Sequence, residues 1–449
     1  MLTKIKVMGL VGAALLASGP VAAVDLVDVH DLALKSDPRL RAAEFRRDAT
    51  GENRKIARAN FLPQIGAGGT WNWGTSKTDI AGQPIPDNDT DNRNLDATLR
   101  QSLYRQANYE SLDVARGQIS QADALYNVAY QDFLLRVAQS YFLVLTLTDG
   151  VTFAEAEEKA FQRQYEQAEQ RFEVGLTAVT DVHEARASYD NARARAIVAR
   201  NDLADAEEAL HELTGQYFES FDALREVLPL VEPDPVEADD WVAMAMQSNP
   251  SVLSARAGVD VAEANMRLAR AGHFPTLDLV GSISRFKNNK YQYFDPINER
   301  VLNTSLQVDD QQLSVLLDVP LYQGGRVSAQ TRQGKLLLDA AGQDLDDVQR
   351  GVVRQTRNAY RAVLAGIQEV EAFEQARISA ESALEATQAG FEVGTRTIVD
   401  VLIAEQRKYQ AQRDNSVARH AYIIRHLRLK SVAGLLSSED LAVVNQLLE

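Results

Sequence analysis

The stretch Gln312-Leu313-Ser314-Val315-Leu316-Leu317-Asp318-Val319-Pro320-Leu321-Tyr322 decides the fold. Leu313, Val315, Leu317, Val319 and Leu321 fall on one face; Gln312, Ser314 and Asp318 fall on the other, with Leu316 the exception. A period of two with one apolar face is the signature of a strand. Three more stretches share it. In 64–74, Ile65, Ala67, Trp71 and Trp73 oppose Gln64, Thr70 and Asn72. In 94–104, Leu95, Ala97, Leu99 and Leu103 oppose Asp96, Thr98, Arg100 and Ser102. In 276–287, Leu277, Leu279 and Ile283 oppose Asp278, Ser282 and Ser284, with Val280 and Phe286 on the polar side. Each run is about ten residues, the length that crosses a bilayer as a tilted strand. A half-buried soluble sheet alternates in the same way, so the rest of the chain has to choose between them.

Working outward, the chain repeats itself once. Ala57-Arg58-Ala59 before Pro63 returns as Ala269-Arg270-Ala271 before Pro275, and Leu103-Tyr104 returns as Leu321-Tyr322. Phe172-Glu173-Val174-Gly175 followed by Asp181-Val182 returns as Phe391-Glu392-Val393-Gly394 followed by Asp400-Val401. The matches keep their order, which indicates an internal duplication. Each half reads as helix, strand, polar loop, strand, very long helix, Gly-containing turn and second helix. The first repeat is placed at 24–234 and the second at 235–434, with 435–449 a short C-terminal segment lying beside the connector 216–236. The long helices are expected over about 107–174 and 326–393, where no proline interrupts. Shorter ones are expected near 28–60, 181–215, 236–272 and 400–434. Two of these end to end match one long helix at 1.5 Å per residue, which suggests a cylinder wall. The many alanines permit close helix approach, and they are also simply good helix formers.

Residues 1–23 read as a secretory signal peptide. Lys4 and Lys6 precede an apolar centre from Val7 to Ala17, and Val21-Ala22-Ala23 offers a small-residue cut site. No later segment reads as a membrane-spanning helix, so an exported chain that crosses a membrane must do so as strands. Four strands do not close a barrel, and open edges are not viable in lipid. The chain must therefore oligomerise. Two copies give eight strands and three give twelve, and physics alone leaves both open.

Composition removes other classes. The net charge of −16 opposes a nucleic-acid footprint, and the absence of cysteine removes disulfides, thiol catalysis and cysteine metal sites. His211-Glu212 starts like a zinc-protease motif, but Gly215 stands where the second histidine belongs. Gly324-Gly325 lacks the remaining phosphate-loop residues. Asp87-Asn88-Asp89-Thr90-Asp91 resembles a calcium loop, but Asn92 replaces the glycine and Thr98 the closing glutamate. It reads as a solvated tip within the polar loops 75–93 and 288–311. No cofactor, metal or catalytic set is expected. Trp71 and Trp73 are candidates for a membrane interface, or an ordinary aromatic pair on a sheet face.

Three motifs carry a resemblance. Gly394-Thr395-Arg396-Thr397-Ile398-Val399-Asp400-Val401-Leu402, Gly272-His273-Phe274-Pro275-Thr276-Leu277-Asp278-Leu279 and Pro320-Leu321-Tyr322-Gln323-Gly324-Gly325 resemble the TolC family of outer-membrane channel-tunnel proteins of Gram-negative bacteria. The resemblance covers essentially the whole chain after residue 23. It implies a homotrimer with a twelve-stranded membrane β-barrel and a twelve-rod α-helical coiled-coil tunnel reaching into the periplasm. It implies a passive exit duct for tripartite efflux and type I protein secretion. The implied partners are a periplasmic adaptor (membrane fusion) protein, an inner-membrane RND, ABC or MFS pump, and outer-membrane lipids, with no nucleic acid. The turns at 175–181 and 394–400, opened by Gly175 and Gly394, would form the closed periplasmic tip. Arg396 would latch it to Thr180 and Asp181 by charge-assisted hydrogen bonds. Asp400 would form an acidic selectivity ring, or serve only as a helix N-cap. Two family positions differ here: Phe391 replaces a tyrosine that bonds the same Asp, and Ile403 replaces a second acid. The competing reading is a periplasmic coiled-coil adaptor or scaffold without a pore, which leaves the four strands unexplained.

Overall fold

The computed structural model describes residues 23–77, 79–80, 83–84, 88–295, 297–298 and 300–449. Almost all of the expected signal peptide, and Asp87 of the candidate calcium loop, lie outside the described residues. The elements run α1 (Leu26–Ser36), α2 (Pro38–Gly51), α3 (Asn53–Ala59), β1 (Gln64–Ser76), β2 (Asp79–Ile80), β3 (Gln83–Pro84), β4 (Asn88–Arg105) and α4 (Gln106–Glu173). They continue α5 (Val179–Thr214), α6 (Ala238–Ser248), α7 (Pro250–Arg270), β5 (Thr276–Asp295), β6 (Arg300–Asp318), α8 (Arg326–Glu392), α9 (Ile398–Ala433) and α10 (Ser438–Asn445).

The chain forms two compact units, each drawing on both halves of the sequence. One holds the described chain from 23 to 38, Gln131–Trp241 and Thr356–Glu449; the other holds the described residues of Arg39–Tyr130 and Val242–Gln355.

The second unit contains the sheet. Four antiparallel strands run in the order β1-β4-β5-β6, leaving β1 and β6 as edges. The strands span 13, 18, 20 and 19 residues, well beyond the ten or so that alternation marks. The polar loops expected at 75–93 and 288–311 are therefore largely strand. Cross-strand pairs explain the extension. Arg285 meets Asp309 at 2.7 Å, Lys290 meets Asp89 at 2.9 Å, and Thr75 Oγ1 donates to Asp89 at 2.7 Å. Alternation reports burial of one face, whereas pairing needs only backbone groups and compatible neighbours. β6 ends at Asp318, short of the expected Tyr322, because Pro320 cannot donate to a ladder.

The stretches expected as helix near 28–60 and 236–272 each divide at a proline, with Pro38 opening α2 and Pro250 opening α7, the first-turn position where proline is tolerated. Asp37 before Pro38 sits at ψ 113° and Asn249 before Pro250 at ψ 121°, since a residue preceding proline is pushed out of the helical region. Asn249 then caps α7, accepting from Ser251 N at 2.8 Å and Val252 N at 3.2 Å. In this unit α7 packs closely on its neighbours. A Cβ added at Gly334 would lie 2.9 Å from the Met266 Cα, whereas one at Gly342 would meet nothing within 4 Å. Gly334→Val should therefore cost about 1–3 kcal/mol by overpacking, read as a lower thermal midpoint. Gly342→Ala should raise that midpoint through helix propensity alone.

The first unit has the larger apolar core. Phe133, Leu134, Val137, Tyr141 and Phe142 of α4 are at most 1% exposed. They explain one correction to the sequence reading: an 18-residue stretch of α4 does reach a mean hydropathy of 1.2, long and apolar enough to span a membrane as a helix. Such a stretch is also what a buried core helix requires. The Tyr141 hydroxyl lies 3.1 and 3.0 Å from the carbonyls of Val24 and Asp222. Burial pushes that hydroxyl's pKa well up, so it stays a neutral donor. The connector holds no helix. It bridges through Val24 to Phe221 and through Leu224 to Leu448, beside α10.

Candidate functional site

In the first unit, α4 and α8 end on the same motif. Gly175 has φ 76° and Gly394 φ 79°, a left-handed conformation that a side chain would strain. Leu176 N donates to Arg171 O at 2.8 Å, and Thr395 N donates to Gly390 O at 2.8 Å. These six-to-one bonds close a Schellman turn in each half.

The helices that leave the turns start differently. At α9 the Thr397 side chain accepts from Asp400 N at 3.3 Å, while Asp400 Oδ2 accepts from Thr397 N and Oγ1 at 2.9 Å each. This is a capping box. Thr397 is thus the N-cap, and Asp400 occupies the third helical position rather than the cap itself. Bonds from the Thr397 amide and hydroxyl, with Arg396 nearby, hold the Asp400 carboxyl below the usual carboxylate range. At α5 the cap is Ala178, which has no side-chain oxygen, and the Thr177 hydroxyl donates instead to the Asp181 carboxylate.

The proposed latch residues are not joined within the chain. Arg396 and Thr180 are exposed, and the Arg396 guanidinium makes no hydrogen bond or ion pair among the described residues. Its backbone N donates to Gly390 O at 3.2 Å. A Cβ at Gly390 would lie 2.8 Å from the Arg396 Cγ, so the glycine leaves room for that side chain. Phe391 has no hydroxyl to offer Asp181. Its ring packs into the core with Leu384, Val401 and Ala404, and the Arg171 guanidinium lies 4.7 Å from its centre. A cation–π contact thus occupies Phe391.

Behind the turns, Phe161 and Ala168 of α4, Ala185 and Ala192 of α5, and Ile398 and Leu402 of α9 form one buried cluster. Two acids inside this region escaped the sequence reading. Glu157 is fully buried, with Oε1 2.8 Å from Arg195 Nη2 and Oε2 3.1 Å from Arg413 Nη1. Glu405 is 5% exposed and takes only a 3.5 Å hydrogen bond from Gln164 Nε2; its other oxygen has no partner. Both sit in Glu- and Arg-rich helical sequence, where nothing marks one acid as buried.

Burial raises the Glu405 pKa, and Gln164, Arg163 and Lys408 offset this only in part, with Glu157 adding to it. Between the unfolded value and the raised folded value, the folded chain holds a proton that the unfolded chain has lost. Stability therefore falls as pH rises through that window. Glu405→Gln should be the more stable protein at pH 8, by roughly the 2–4 °C that about 1 kcal/mol is worth in a large domain. At pH 4 thermal scans should show no gap.

In the second unit the sheet presents one broad apolar face. Ile65 pairs with Leu99, Ala67 with Ala97, Ala97 with Ile283, Leu279 with Val315 and Leu277 with Leu317. Ile65 is 77% exposed, Leu313 73% and Leu317 62%, so none of the described residues covers this face. Trp71 and Trp73 lie on it, also exposed. The Trp71 indole donates to Asp91 at 3.3 Å, and the Arg93 guanidinium lies 4.0 Å from its ring centre. The other face carries Thr70, Asn72, Asp96, Thr98, Ser282 and Gln312. At its end Asp278, 2% exposed, meets Arg100 at 2.7 Å and Arg105 at 2.9 Å, beside the bulge between Ser102 and Tyr104.

An exposed apolar sheet face with polar residues behind it is what a membrane barrel wall requires. The family model described as Outer membrane efflux protein matches residues 29–216 and again 241–435. The chain belongs to the outer membrane efflux protein family. It is 39% identical to the outer membrane protein TolC of Vibrio cholerae, over 95% of this chain and 94% of that protein. It is 35% identical to TolC of Escherichia coli, over 95% of this chain and 85% of that one. The crystal structure of the outer membrane protein VceC from Vibrio cholerae superposes with a TM-score of 0.73 at 19% identity, covering 91% of this chain and 96% of the other. Outer membrane efflux proteins of this type are channels of the Gram-negative outer membrane, built from a β-barrel and coiled coils, and they are not catalysts. In keeping with that class, no cluster of potential metal ligands occurs among the described residues. Asp89 and Asp91 of the calcium-like loop are strand residues engaged by Lys290, Thr75, Arg93 and Asn289. His420 is a core group beside Thr146 Oγ1, pushed down to about 4 by burial.

Proposed function

We propose that three copies of this chain form an outer-membrane exit duct for tripartite efflux and type I secretion. The observation that carries this reading is the four-stranded sheet with an uncovered apolar face and two edges, β1 and β6. Such edges are not viable in lipid, and joining β6 of one copy to β1 of the next removes all of them. Three copies give twelve strands. A pore-less adaptor leaves that face and those edges without a role.

The helix turns then meet around the axis as a periplasmic tip. Arg396, whose guanidinium is unpaired among the described residues, reaches Thr180 and Asp181 when copies assemble, so the latch is a property of the trimer. Asp400, held ionised by Thr397, supplies three carboxylates to a ring that favours cations. Trp71 and Trp73 meet the membrane interface. Docking of an inner-membrane pump of the RND, ABC or MFS class through a periplasmic adaptor spreads the tip, and the pump supplies the energy. Native mass spectrometry of the detergent-extracted protein tests the assembly. A trimer is expected; a monomer or dimer as the sole species would remove this reading.

A further inference from the structure

The apolar face of the sheet is not flat. Small residues, Ala97 on β4 and Gly281 on β5, leave a groove of about 400 Å³ walled by Ile65, Leu99, Ile283 and Leu313. That volume falls within the ~300–1,000 Å³ typical of small-molecule sites. Further along β5 on the same face stand Arg285 and Lys287, two and four residues past Ile283. At about 3.4 Å per residue they lie roughly 7 and 14 Å beyond the groove. Arg93 is directly across from Lys287, stacked on Trp71. Two of these three cations are matched: Arg285 by Asp309 at 2.7 Å and Arg93 by Asp91 at 3.2 Å. Lys287 is exposed and makes no ion pair among the described residues.

We propose that this face binds one phosphate-bearing membrane lipid, with an acyl chain in the Ala97–Gly281 groove and the phosphate on Lys287, flanked by Arg93 and Arg285. The groove supplies apolar contact of one chain's width. The unmatched ammonium supplies the charge, and the indole of Trp71 suits the depth of a headgroup. A zwitterionic headgroup would bring its own ammonium towards Lys287, so the site discriminates by net charge. The inference rests on the reading that this sheet face meets lipid.

The test uses purified, delipidated trimer incubated in mixed micelles with equal phosphatidylglycerol and phosphatidylcholine, with bound lipid counted by native mass spectrometry. The wild type should retain phosphatidylglycerol over phosphatidylcholine by about five-fold, the ratio one lysine near an anionic headgroup supplies. Lys287→Gln should bring that ratio near one, while Gly281→Leu, which fills the groove, should lower retention of both lipids. Equal retention by the wild type, or an unchanged ratio in Lys287→Gln, overturns the site. If the same preparation still conducts in a planar bilayer, only this inference falls. If it neither trimerises nor conducts, the duct reading falls and the lipid site falls with it.

Discussion

Replacing Arg195 and Arg413 together by methionine is expected to destabilise the protein by about 3–5 kcal/mol, the cost of leaving a buried charge unpaired. Glu157 is fully buried on α4, and each of its oxygens accepts from one of these arginines. Arg195 comes from α5 and Arg413 from α9, so one carboxylate ties three helices behind the turns. Either arginine alone should soften the loss, because the other still faces the charge. Adding Glu157→Met to the double variant should recover most of the stability, since three well-packed apolar side chains serve about as well as a buried triad. Denaturant midpoints of the assembled protein decide it. A double variant as stable as the wild type would mean that Glu157 is hydrated in the assembly.

The second large effect is on current. Arg396→Ser should raise single-channel conductance several-fold, because the proposed latch to Thr180 and Asp181 would lose its charged donor. Phe391 offers no second link to Asp181; its ring is already held by Arg171 and the α8–α9 core. On the proposed reading the tip would depend on Arg396 more than it would with a tyrosine there. Asp400→Ala should lower cation selectivity if Asp400 forms the proposed ring, and Ile403, one turn on, carries no charge to add to it. Asp400 also closes the α9 capping box. Asp400→Asn separates the two roles: it retains an oxygen for the Thr397 amide but loses the charge. Selectivity that survives in Asp400→Asn would place the filter elsewhere. Thr397 holds the Asp400 pKa down within one chain, and three like charges around an axis would push it back up, so selectivity should fade in acid as the carboxylates take up protons.

The architecture was legible because two periodicities mark it. Alternation at Leu313, Val315 and Leu317 located β6, and the proline-free stretches located α4 and α8 to within a residue or so. Boundaries failed where another force took over. The hairpins continue through Asp89, Lys290 and Asp309, whose polarity reads as loop but whose cross-strand partners make strand. Pro38 and Pro250 divide the stretches 28–60 and 236–272, each of which length alone would make one helix. The apolar stretch of α4 meets the composition test for a span as well, since core packing and membrane insertion ask for similar composition. At the turns, the glycines and Asp400 stood out through repetition. Glu157, Glu405 and Gly390 did not, because burial and close approach depend on which helix lies alongside. The proposed match of Arg396 to Thr180 and Asp181 is not formed within one chain, where the Arg396 guanidinium makes no hydrogen bond or ion pair among the described residues.

The central claim is that the assembled chain is a conducting duct closed at a latched end. Single-channel recording of the purified protein in a planar bilayer tests it most directly. The account predicts small, cation-preferring steps that grow in Arg396→Ser. Protein shown to be inserted yet passing no current, in the wild type and in Arg396→Ser alike, would contradict it.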